Sequence, residues 1–104
     1  MTKLIIISST QLSDKIDGGA YVLDIRDTNS YNASHIKGSQ HIDNSNLDTF
    51  LATADKDRAV VVCCYMGISS IPAAELFIEQ GFEEVYSLQG GFNSLSTTHP
   101  QLST

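Results

Sequence analysis

Tryptophan is missing from this 104-residue chain, and only two cysteines, two prolines and three histidines occur in it. The cysteines, Cys63 and Cys64, stand side by side, which supplies neither a disulfide framework nor the paired spacing of a zinc site. No metal and no cofactor are therefore expected, and two reduced thiols point to a reducing compartment. Basic residues are scarce, six Lys plus Arg against twelve Asp plus Glu, a net charge of −6. Nucleic acid and anionic membranes, which reward clustered Lys and Arg, are excluded as partners. Long apolar runs are also lacking. Leu4 to Ile7 is too short for a signal-peptide core and has no small-residue cleavage site after it, and nothing approaches the roughly 20 apolar residues of a spanning helix. A cytoplasmic protein is expected. With 41% hydrophobic and 17% charged residues and no low-complexity tract, the chain reads as one globular domain, 1–104, with a polar C-terminal tail from about residue 97.

What is present is an alternation of strand-like and helix-like stretches. Leu4 to Ile7 is a short strand, and Thr10 to Ile16 a helix closed by Gly18-Gly19. Ala20 to Arg26 is a second strand, with Leu23 and Ile25 on one face and Val22, Asp24 and Arg26 on the other. Asp27 or Thr28 caps a short helix through Tyr31 and Ala33, a small strand follows around Gln40 to Asp43, and Asn46 to Thr53 is a helix. Ala59 to Cys63 is apolar on both faces, as a central parallel strand covered by helices should be. The helix after it carries Ala73, Leu76, Phe77 and Gln80 along one side and stops at Gly81, with Phe82 placed to pack back on it. Val85 to Leu88 is the last strand, and Gly90-Gly91-Phe92 opens a last helix. This pattern predicts an α/β fold with a mostly parallel central sheet of about five strands and helices on both faces.

The chemistry is concentrated after the central strand, in Cys64-Tyr65-Met66-Gly67-Ile68-Ser69-Ser70. A buried strand ending in cysteine, a short loop with Gly at its centre and then a helix N-terminus aims backbone N–H groups and the positive end of a helix dipole at one sulfur. Such a site stabilises a thiolate without a base. Position at the carboxyl end of a central parallel strand favours a functional Cys64 over a buried structural thiol. Cys63 alternates to the opposite face beside Val61 and reads as core. Asp24 and Arg26 share a strand face and read as a structural ion pair rather than a catalytic one, since a charge near a core must be satisfied. Ser69 and Ser70 are N-cap candidates whose hydroxyls are equally placed to bond the sulfur. His35, His41 and His99 read as ordinary hydrogen-bonding histidines, because a pre-ionised cysteine needs no base.

Three separated pieces, Val22-Leu-Asp-Ile-Arg-Asp27 with Tyr31 and His35-Ile-Lys-Gly38, the Cys64 to Ser70 loop, and Val85-Tyr-Ser-Leu-Gln-Gly-Gly-Phe92, together resemble the rhodanese superfamily. The likeness spans about Tyr21 to Leu95 and is strongest to the small single-domain thiosulfate sulfurtransferases. It implies a rhodanese-like fold and Cys64 as the sulfur-carrying residue. It also implies that Tyr65, Met66, Gly67, Ile68, Ser69 and Ser70 bind a small anionic sulfur donor, with a thiophile such as cyanide or a thiol as acceptor. Many loops of that superfamily carry Arg or Lys, where this chain has Met66, Ile68, Ser69, Ser70 and Ile71, so weak thiosulfate binding or another donor is expected. Leu95 replaces a frequent aromatic, and a looser pocket wall is expected there. A phosphatase or arsenate reductase needs a longer loop closed by an Arg, and no Arg follows Cys64. A non-catalytic or sulfur-relay rhodanese-like binding module is the alternative reading.

Overall fold

The structure, a computed structural model, describes residues 3–104. Its elements are β1 (Leu4–Ile7), α1 (Ser9–Asp17), β2 (Tyr21–Asp24), α2 (Thr28–Ala33), β3 (Gln40–His41), α3 (Leu47–Thr53), β4 (Val60–Cys63), α4 (Ser70–Glu79), β5 (Val85–Leu88) and α5 (Gly91–Thr98), followed by a 3-10 turn at Pro100–Leu102. The five strands run in the order β1-β5-β4-β2-β3, and every pairing is parallel. Parallel neighbours need crossover helices, which then cover both faces and force the middle strands to be apolar throughout. All four residues of β4 and all four of β5 are buried.

One face packs Leu12 of α1 and Phe92 and Leu95 of α5 on Ile7, Val22, Val61 and Cys63. The other packs Phe50 of α3 and Ala74 and Phe77 of α4 on Leu23, Val60 and Val62. Phe50, Phe77 and Phe82 meet there with ring centroids 5.8 to 6.0 Å apart. Phe82 folds back as its spacing predicts, with its N–H donating to the Phe77 carbonyl at 3.1 Å beyond Gly81, whose φ is +100°. From β2 the chain passes outward to β3, and from β4 the opposite way to β5. The order therefore reverses between β2 and β4, and open α/β sheets bind ligands outside the carboxyl ends at such a point.

Several expectations are corrected. β2 stops at Asp24, two residues early, because the N–H of Arg26 turns back to the Asp24 carboxylate at 2.9 Å instead of continuing the ladder. α1 starts at Ser9, where the Ser8 N–H donates to Gln11 Oε1 at 3.0 Å. The buried side of α4 is Ser70, Ala74 and Phe77, while Leu76 is half-buried and Gln80 exposed. Leu95 is no pocket wall but a fully buried core residue. Apart from these corrections, the polar C-terminal segment makes contacts of its own: Leu102 packs on the first core, Ser103 bridges Ile36, and the Thr104 N–H donates to the His35 carbonyl at 2.9 Å. Among the described residues no helix is long and apolar enough to cross a membrane.

Candidate active site

Cys63 ends β4 inside the core, and the following peptide leaves the sheet. Cys64 is 2% exposed, at the base of a loop that winds around its sulfur. The N–H groups of Gly67 and Ser70 donate to Cys64 Sγ at 3.1 and 3.3 Å. Burial by itself disfavours the thiolate, but the Ser70 hydroxyl and the amides of Ser70, Gly67 and Met66 outweigh it, and the Cys64 pKa falls below the ordinary thiol value. One residue earlier the balance is reversed. Burial pushes the Cys63 thiol well up and the nearby Asp24 charge adds to this, so Cys63 stays protonated. Adjacent thiols are thus separated in chemistry by which way each side chain faces.

The loop is held from behind by the turn that opens α5. The N–H groups of Phe92 and Asn93 donate to the carbonyls of Cys64 and Tyr65 at 2.8 and 3.0 Å. Gly91, at φ +58°, is pressed so close that a Cβ would lie 2.4 Å from the Cys64 carbonyl oxygen. Gly67, at φ +83°, leans on the same turn: a Cβ there would lie 2.8 Å from Gly90 N. Any side chain at either position would displace the amides that face the sulfur. A second tie runs to β5, where the buried hydroxyls of Ser70 and Ser87 are hydrogen-bonded at 2.6 Å. The Tyr65 hydroxyl accepts the Asp27 N–H at 3.2 Å and draws the loop toward α2.

Beside the loop, at the end of β2, Asp24 is fully buried and is met by Arg26 Nη2 at 2.7 Å and Nε at 3.0 Å. The guanidinium also donates to the Ser34 carbonyl at 2.7 Å and lies 4.1 Å from the Phe92 ring centroid. Arg26 thereby joins β2, α2 and α5, and its charge is fully engaged.

The residues singled out in the sequence sort themselves as follows. Gly67 and Ser70 donate to the sulfur, while Tyr65, Met66 and Ile68 form an apolar rim, 43%, 63% and 73% exposed. Ser69 occupies the N-cap of α4, but its side chain makes no capping bond, and the Ser70 hydroxyl, which favours the Cys64 thiolate, is also hydrogen-bonded to the Ser87 hydroxyl. His35 Nδ1 lies 2.8 Å from the Tyr31 carbonyl, His41 Nε2 contacts the Arg26 carbonyl, and His99 meets the Thr98 hydroxyl. No Lys or Arg follows Arg58 in the chain. Sequence reasoning missed Gly91 and Ser87 as supports of the loop. Gly-Gly before Phe92 signals a turn, but nothing local shows what that turn rests on.

Residues 8–98 match the family model of the rhodanese-like domain. A protein of Pseudomonas paraeruginosa named thiosulfate sulfurtransferase GlpE is 49% identical over 94 residues, covering 90% of this chain and 86% of its own length. The protein of that name from Pseudomonas fluorescens is 52% identical over 82 residues, 79% of this chain and 75% of its own. Among solved structures, the reduced CoADR-RHD protein of Bacillus anthracis superposes with a TM-score of 0.84 at 25% identity, covering 97% of this chain and 18% of that one. The Rhodanese_3-like domain of Anabaena Alr3790 gives 0.70 at 28%, covering 78% and 94%. A cysteine cradled by its loop amides at the sheet's reversal point, together with these likenesses over most of the chain, shows that the protein belongs to the rhodanese-like domain family.

Proposed function

We propose that the protein is a sulfurtransferase that moves a sulfane sulfur from a donor such as thiosulfate to a thiophile such as cyanide or a thiol, through a persulfide on Cys64. The observation that carries this reading is the pair of N–H groups, from Gly67 and Ser70, on the Cys64 sulfur. In the first half-reaction the Cys64 thiolate attacks the outer sulfur of thiosulfate. The new bond joins the two sulfurs, the bond to the sulfonate sulfur breaks, and sulfite leaves with the electron pair. In the second, the thiophile attacks the outer sulfur of the persulfide and the Cys64 thiolate departs. Covalent storage divides one difficult transfer into two easier ones.

Cys64 is the nucleophile in this scheme. Tyr65 to Ser70 hold the donor, and the amides that favour the thiolate also favour the anionic persulfide, as oxyanion donors do in acyl transfer. Asp24 and Arg26 act structurally, by fixing the strand end and α5 beside the loop. Reduced adjacent thiols and an acidic surface support a cytoplasmic setting.

The test is incubation with thiosulfate and cyanide while thiocyanate is followed, alongside intact-protein mass spectrometry. Thiocyanate release with one added sulfur atom on Cys64, removable by cyanide and absent in Cys64→Ser, is expected. No turnover and no added sulfur with any donor would refute it.

A further inference from the structure

A second hollow opens at the carboxyl ends of β1 and β5, away from the Cys64 sulfur. It holds about 330 Å³ between the first turn of α1 and α5, and its walls include Ser9, Thr10, Gly90, Ser94, Thr98 and His99. No carboxylate lines it. Gly90 separates it from the Cys64 loop, since a Cβ on Gly67 would lie 2.8 Å from Gly90 N. At the start of α1 the Gln11 N–H is taken by the Ser8 carbonyl at 3.1 Å. The N–H groups of Ser9 and Thr10 have no intrahelical acceptor, and no other described residue supplies one. Ser9 is only 6% exposed, yet its hydroxyl has no hydrogen-bond partner among the described residues. No sealed side-chain oxygen or nitrogen there is left without a partner, so the Ser9 oxygen keeps its small opening to the hollow that it lines. A hydroxyl so nearly buried gains from a ligand that bonds it. On the facing wall, Thr98 Oγ1 donates to the Ser94 carbonyl at 3.0 Å and therefore receives the His99 Nδ1–H at 2.9 Å. In the neutral ring this leaves Nε2 as an acceptor.

We infer that this hollow is a binding site for a phosphate group, free or esterified, separate from the Cys64 site. The N–H groups of Ser9 and Thr10 and the Ser9 hydroxyl donate to the phosphate oxygens, and the positive end of the α1 dipole offsets its charge. His99 Nε2 accepts a phosphate O–H, or donates when the ring is protonated. The overall charge of −6 opposes any anion, so binding is weak and sensitive to salt. Occupancy does not depend on whether Cys64 carries sulfur.

The experiment titrates the whole protein with inorganic phosphate and, separately, with methyl phosphate, following backbone amide NMR shifts against chloride at matched ionic strength. The amides of Ser9, Thr10 and His99 should shift together and saturate, in the wild type and in Cys64→Ser alike. Ser9→Ala should weaken binding about fivefold, the worth of one hydrogen bond. Thr10→Glu sets a carboxylate at the hollow, in a helical first turn that tolerates one, and should abolish binding without lowering Tm. Methyl phosphate bound as tightly as phosphate assigns the site to phosphate esters, and phosphate bound alone assigns it to the free anion. Shifts no larger than those with chloride, shifts confined to Gly67 to Ser70, or wild-type affinity in both variants would overturn the inference. Thiocyanate release tests the sulfurtransferase reading separately and is not touched by any of these results.

Discussion

The backbone N–H of Phe92 donates to the carbonyl oxygen of Cys64 at 2.8 Å, so the Cys64 peptide is fastened to the first turn of α5. Gly91 makes this approach possible, because at φ +58° its Cβ position falls on the Cys64 carbonyl and on the Tyr65 and Met66 backbone. A loop held in this way cannot relax around an added methyl group without moving the amides of Gly67 and Ser70.

Gly91→Ala is therefore expected to lose both stability and reactivity. The left-handed backbone alone disfavours alanine by about 1–2 kcal/mol, and the contact with the loop adds to it. Thermal unfolding should show a Tm lower by roughly 5–15 °C for a domain of this size, and Cys64 alkylation at neutral pH should slow. Wild-type alkylation kinetics in a folded Gly91→Ala protein would show that the loop is not held by this turn.

The Cys64 thiol should titrate below the ordinary thiol value, and the rate of iodoacetamide modification should locate that midpoint. Ser70→Ala removes a hydroxyl that favours the thiolate, so the midpoint should move upward. Because the folded pKa is depressed, ionised Cys64 contributes stability above the unfolded thiol pKa, and that contribution is lost as pH falls through the folded value. Relative to Cys64→Ser, the wild type should thus lose stability on acidification across that interval, measured by urea unfolding at a series of pH values.

Cys63 behaves oppositely. Its folded pKa is raised, so its protonated form stabilises the fold below the unfolded thiol pKa, and stability declines as pH rises above it. Cys63→Ala should keep persulfide loading at Cys64 and cost on the order of 1 kcal/mol from the small void left among Val22, Val61 and Leu88. Loss of loading in that variant, with stability retained, would assign Cys63 a chemical part.

Arg26→Ala should be the most destabilising of the single changes, by about 3–5 kcal/mol, since it leaves the buried Asp24 carboxylate without its partner. Arg26→Lys should recover only part of this, because an ammonium cannot reach Asp24 from two nitrogens while also meeting the Ser34 carbonyl and lying on Phe92. Chemical denaturation of both variants checks the order. Equal stability of Arg26→Ala and wild type would contradict it.

The sequence disclosed the order of elements because β4 is apolar on both faces and each helix start or stop carries a cap or a glycine. It disclosed the family because the Asp24 strand, the Cys64 loop and the Gly-Gly-Phe turn each carry unusual residues at fitting intervals. The errors have local physical causes. The expected strand runs two residues past the end of β2 because a strand pattern cannot show Arg26 turning back on Asp24. The buried stripe of α4 keeps the expected Phe77 but is shifted from Leu76 and Gln80 toward Ser70 and Ala74, because Ala73, Ala74, Leu76 and Phe77 are all apolar, and a helix apolar over so wide an arc does not announce which stripe faces the sheet. The anchoring of the C-terminal segment to Ile36 and His35 is not legible either, because its partners lie more than sixty positions away along the chain. The support of the loop by Gly91 and Ser87 joins residues distant in sequence, and no pattern within either segment encodes it.

The fastening of Cys64 by α5 carries an implication for biosynthesis. During translation Cys64 emerges well before Phe92 and Asn93, whose N–H groups fasten its loop. A chain ending short of Phe92 lacks the two N–H donors to the Cys64 and Tyr65 carbonyls, so the fastened loop requires the last helix in place.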